Sequence, residues 1–154
     1  MPVEKMTFVG NVLTDPSLDA VEQALGVKLP VPYRRFLLTH NGGRPHPRGF
    51  SFADQEDGSL LDSFYSVECA DRMFDLVSRV RAWRARVPND LIAIGIDAGG
   101  SLVCLGVQGP RSGKVYFWSL EDESDPRDPT NNENVWLCAD DFDGFLASFR
   151  EPEL

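Results

Sequence analysis

The chain has 154 residues, 42% hydrophobic and 25% charged, ordinary for a globular domain and long enough to close one core. Twenty-four acidic against fifteen basic residues leave a formal net charge of −9, which speaks against nucleic-acid binding, because that needs lysines and arginines to displace counterions along the phosphates. There is no membrane-spanning run of about 18 apolar residues and no basic-then-apolar leader. Cys69, Cys104 and Cys138 fit neither a disulfide framework nor a zinc pattern, so a reducing cytoplasm is the expected compartment.

Asp15-Pro16 reads as a helix cap followed by proline at the first helical position. Leu18, Val21, Glu22 and Leu25 continue at helical spacing over residues 17–25, and Gly26 is placed to end the helix. The stretch LPVPYRRFLLTHNGGRPHP, residues 29–47, predicts a second helix over 32–40, with Tyr33, Phe36, Leu37 and His40 on one face. Asn41, Gly42 and Gly43 can adopt the left-handed conformations that stop it, and Pro45 and Pro47 forbid its resumption. Residues 49–53 and 60–67 read as strands separated by the acidic turn Asp54 to Gly58. From 70 to 86 the pattern is helical, with Met73, Leu76, Val77, Val80 and Trp83 inward, and Pro88 closes it.

Residues 91–96 and 102–107 are apolar strands joined by the tight turn Asp97-Ala98-Gly99-Gly100, and 115–120 is a third strand rich in β-formers. A polar loop runs to a last strand at 134–138, after which Asp140 or Asp141 caps a closing helix over 140–149 that turns Phe142, Phe145, Leu146 and Phe149 inward. Helices at both ends of an antiparallel meander predict a single α+β domain over residues 1–154.

Reactive chemistry is hard to find. GPRSGKV, residues 109–115, has Gln108 where a phosphate-binding loop needs its first glycine and Val115 where it needs the magnesium-holding hydroxyl, so it is a hairpin loop. No serine sits in a nucleophile elbow, and Cys104 lies mid-strand, where a thiol acts as a small hydrophobe. His40 and His46 match no compact metal spacing. Asp54-x-Glu56-Asp57-Gly58 lacks the closing glutamate of a calcium loop. The expectation is therefore no catalytic, metal or cofactor-binding residue.

Two blocks carry a likeness. Residues 22–45 hold Glu22, Leu29-Pro30, Tyr33, Phe36-Leu37 and Asn41-Gly42-Gly43; residues 91–120 hold an apolar strand, the Asp97 to Gly100 turn, a second apolar strand and Val115 to Trp118. With a closing helix at 140–149, this arrangement resembles the SUKH superfamily, the family of the fungal cell-wall-synthesis regulator Smi/Knr. The resemblance implies a Smi/Knr-like fold: N-terminal helices, an antiparallel meander and a C-terminal helix. Leu29, Pro30, Tyr33, Phe36, Asn41, Gly42, Gly43, Asp97, Gly99 and Gly100 then serve as a fold signature rather than reactive groups.

Many bacterial members of that superfamily are immunity proteins that hold a cognate toxin, often a nuclease or deaminase, inactive in the producing cell. The resemblance thus implies a non-enzymatic module with a basic protein partner and no nucleic acid, membrane or cofactor. The alternative in the same superfamily is a regulatory scaffold of a cell-wall or signalling assembly. The expected contact surface is acidic: Asp54, Glu56 and Asp57 in one loop, and Glu121, Asp122, Glu123 and Asp125 in the other.

Overall fold

The computed structural model describes residues 3–54, 57–121 and 134–152. In chain order the elements are β1 (Lys5–Thr7), α1 (Asp15–Leu25), α2 (Val31–Thr39), β2 (Arg44–His46), β3 (Gly49–Ser51), β4 (Gly58–Phe64), α3 (Leu76–Trp83), β5 (Leu91–Asp97), β6 (Leu102–Gly106), β7 (Val115–Trp118), β8 (Val135–Ala139) and α4 (Phe142–Ala147). Strands β3 to β8 form one antiparallel sheet in sequence order, and β1 pairs β2 in a separate ribbon. This is the α+β arrangement expected from the sequence.

Strands β5, β6 and β7 are apolar almost without alternation because both faces of the sheet are covered. Val103 lies opposite Phe117, and Cys104 opposite Tyr116, so successive residues face opposite layers. On one side Phe117 meets Phe50, Phe52 and Trp136, and the layer continues through Phe50 to Phe145 and Phe149. Phe36 of α2 joins it, its ring 5.2 Å from Phe64 and 5.0 Å from Phe142. On the other side Trp118 meets Trp83 of α3 at 5.6 Å, and α1 packs on α3. Burying each such side chain contributes about 1.5–3 kcal/mol.

The edges of the sheet are closed off. Gly49 and Arg150 exchange backbone hydrogen bonds at 2.9 Å, which covers β3, while Ala53 N donates to Leu137 O of β8 at 2.7 Å. The two ends of the meander therefore curl together, leaving less open edge for a foreign strand.

Several expectations are corrected. Thr14, not Asp15, caps α1: its hydroxyl accepts from Ser17 N while Ser17 Oγ accepts from Thr14 N, and Asp15 is the first helical residue. His40 lies outside α2 with extended backbone and is exposed, so it does not continue the inward face. Asn41 is absent from the left-handed region; only Gly42 and Gly43 of that triplet have positive φ. Helix α3 starts at Leu76 rather than at 70, capped by Asp75, whose Oδ2 accepts Ser78 N at 3.0 Å. Met73 is 60% exposed, not inward. Strand β4 ends at Phe64, and the β1–β2 ribbon was not expected at all, because proline at 45 and 47 reads as a break; a two-stranded ribbon tolerates proline where no donor is needed.

Candidate functional site

The junction after α2 organises an apolar cleft on the described surface. Asn41 is 3% exposed. Its Nδ2 donates to Asn11 O and to Val67 O, both at 2.9 Å, and its Oδ1 accepts Val67 N at 2.7 Å. Its backbone carbonyl accepts Gly10 N at 2.8 Å and Ser66 Oγ at 2.7 Å. One residue thus ties the segment before α1 to the segment after β4. Gly42 and Gly43 make the close approach feasible: with φ of 71° and 100°, a Cβ would fall 2.6 Å from Tyr65 O and 2.5 Å from Thr7 O respectively.

Between the two clamped segments opens a cleft of about 390 Å³, lined by Phe8, Val9, Phe64, Cys69, Phe74 and the Arg44–Asp62 pair. Arg44 reaches Asp62 twice, Nε to the carbonyl at 2.9 Å and Nη2 to Oδ1 at 2.8 Å, and its guanidinium lies 5.8 Å from the Phe8 ring centroid. The walls carry exposed apolar side chains: Phe8 is 81% exposed, Phe74 41% and Val9 45%, with Met73 next to Phe74. The two non-glycine residues at positive φ among those described, Phe8 and Glu68, both at 58°, fall on these same two segments. Backbone strain of this kind concentrates at functional positions.

The cleft holds no assembled reactive group. His46 is engaged with the Thr7 hydroxyl at 2.8 Å, and His40 lies exposed beside Phe36. Cys104 and Cys138 are buried, and burial pushes both thiols up, Cys138 to about 12. Only Cys69 is partly open. Among the described residues no group of three or more His, Cys, Asp and Glu is placed to hold a metal ion, and no helix is long and apolar enough to cross a membrane.

The remaining signature residues read as structure. Leu29, Tyr33 and Phe36 are buried, and Pro30 is half-buried at the start of α2. Glu22 Oε2 accepts Leu29 N at 2.7 Å, and its other oxygen pairs with Arg34 at 3.1 Å. Asp97 Oδ1 accepts Gly99 N and Ser101 N, and its Oδ2 accepts Ser59 Oγ, which locks the turn through Gly99 and Gly100. Of the acidic contact residues expected from the sequence, Asp54, Asp57 and Glu121 are exposed, whereas Glu56, Asp122, Glu123 and Asp125 lie outside the described residues. Asp54 follows Ala53, whose N donates to Leu137 O of β8, and Glu121 lies three residues beyond the end of β7. Sequence reasoning missed Phe8, Val9, Phe74 and the Arg44–Asp62 pair. The available signal was weak: an apolar Phe8-Val9 outside any periodic element, followed by Gly10.

Residues 13–148 match the SMI1 / KNR4 family (SUKH-1). The chain is also similar to the SPbeta prophage-derived uncharacterized protein YokK of Bacillus subtilis (strain 168), 24% identical over 161 residues, which takes in 94% of this chain and 78% of that protein.

Proposed function

Because the chain belongs to the SMI1/KNR4 (SUKH-1) family, we propose that it is a non-catalytic protein-binding module of the immunity type, which holds a cognate toxin inactive in the cytoplasm of the cell that makes it. The observation that carries this reading is the cleft beside Asn41: apolar, with clamped walls, and offering no paired nucleophile and base. Exposed contiguous apolar surface on a folded chain is a mark of a contact site. Charge supports the same reading, since −9 on the chain favours a basic partner. A toxin that acts on nucleic acid carries such a basic groove, and an acidic protein competes for it. Asp54, Asp57 and Glu121 supply exposed acidic surface for this encounter, and the sequence adds Glu56, Asp122, Glu123 and Asp125 to the same acidic stretches.

The test is co-expression of the chain with a cognate toxic domain, sought first among the genes beside its own. Growth is expected to be restored, and the two proteins are expected to co-elute as a stable complex. Unrelieved toxicity without co-elution would turn the reading toward a regulatory scaffold.

A further inference from the structure

Resting on that protein-binding reading, we propose that the cleft seats an extended segment of the partner in which one apolar side chain is flanked by lysine or arginine, with Phe8 as the projecting contact. Phe8 is doubly unfavourable where it stands: a bulky side chain at φ 58° and 81% exposed. It is not a frayed residue, because Thr7 is paired with Arg44 in the ribbon and Gly10 N is bonded to Asn41 O. The fold therefore holds an aromatic ring out into solvent between two pinned neighbours. Phe74 stands on the opposite wall, 41% exposed.

The charges around the cleft select the occupant. Arg44 and Asp62 satisfy each other. Along the wall segment between Val67 and Phe74, Glu68 and Asp71 are exposed against a single exposed cation, Arg72, so the balance of charge beside the apolar surface is negative by one. A basic residue beside an inserted apolar one answers both the negative balance and the apolar walls.

The probes are two blocked peptides, Gly-Arg-Leu-Arg-Gly and Gly-Glu-Leu-Glu-Gly, titrated at millimolar concentration into the ¹⁵N-labelled full chain. The arginine peptide is expected to shift the amide signals of Val9, Gly10, Gly43 and Cys69, and to bind about five-fold more tightly than the glutamate peptide. It should also slow alkylation of Cys69. Phe8→Gly, which relieves the positive φ, is expected to melt no lower than wild type and, combined with Phe74→Ser, to abolish the shifts. Absent shifts, shifts centred elsewhere, equal binding of both peptides, or shifts that survive in the double variant would each overturn the proposal. A chain that rescues growth yet ignores the arginine peptide loses this inference and keeps the proposed function; a chain that binds the peptide without rescue does the reverse.

Discussion

Asn41 shows how much a single buried amide can organise. The sequence marks it as part of a helix stop, and the helix does stop there, but its side chain is used for something residue type alone does not reveal: it joins residues 11 and 67, which are distant in the chain. Asn41→Ala removes three side-chain hydrogen bonds and leaves Val67 N buried without its acceptor. The expected loss is about 2–4 kcal/mol in urea denaturation, and a loss under about 1 kcal/mol would mean the two walls are held by other contacts. The thiols give a second residue-scale expectation. Burial raises Cys104 and Cys138 above the ordinary value, so the folded state keeps them neutral where the unfolded chain begins to ionise, near pH 8.5. Their contribution is fully present below that pH and is lost as pH rises towards the folded values, at most about 1.4 kcal/mol per pH unit for each thiol. Urea midpoints measured from pH 8 to 10 should fall, and the fall should flatten when both thiols are replaced by alanine; equal slopes in the two proteins would place the titrating groups elsewhere. Cysteine burial was legible from the apolar strand around Cys104, whereas the exposure of Phe8 was not, because an isolated apolar residue carries no period from which to read a face.

Elements were legible where local signals and tertiary packing agree. Helix α1 has both ends written in the sequence, although the cap sits one residue earlier than expected, since Thr14 and Ser17 can satisfy each other reciprocally and Asp15 cannot take that role from inside the helix. Thr14→Ala is expected to cost about 1 kcal/mol. Gly26→Ala should cost a similar ~1 kcal/mol through its φ of 70° alone, because a Cβ there meets nothing within 4 Å. The helix has 11 residues, roughly 16 Å in length, so the two costs should add in the double variant, measured by thermal melting of all three proteins. A double variant no weaker than either single one would show that α1 is already detached from the transition that melting reports. Helix α3 is the counter-example. Its apolar spacing continues back to Met73, yet Ser66 N donates to Phe74 O and Leu76 N to Ser66 O, both at 2.8 Å. Those backbone groups are committed to a parallel bridge with Ser66, nine residues before Asp75, and Asp75 caps the helix that begins at Leu76. Periodicity reads the helix correctly only from the point where this pairing ends, and that pairing is invisible in the local sequence.

Across the whole molecule, the meander order follows from short connections and successive apolar runs, while the covering of both sheet faces follows from runs too apolar to have a wet side. The closure of the sheet between Ala53 and Leu137 has no such signal, because it joins the two ends of the meander. Net charge also belongs to this scale. At −9 the chain carries a field that extends beyond any one contact, and a basic partner approaching it is accelerated before the surfaces meet. If the acidic segments steer the encounter, the association rate with the co-expressed toxin should fall steeply as salt rises past about 0.1 M, where the Debye length is about 10 Å. Glu121→Gln, Asp122→Asn, Glu123→Gln and Asp125→Asn together should slow association further at low salt and have little effect at high salt. The same variant is expected to melt close to wild type, so that slower association reads as lost steering and not as a lost fold. The dissociation rate should change far less than the association rate, because steering acts on the approach and not on the seated complex. Stopped-flow mixing at several salt concentrations separates the two rates. An association rate indifferent both to salt and to the four substitutions would remove the acidic segments from the encounter and leave recognition to the apolar cleft beside Asn41.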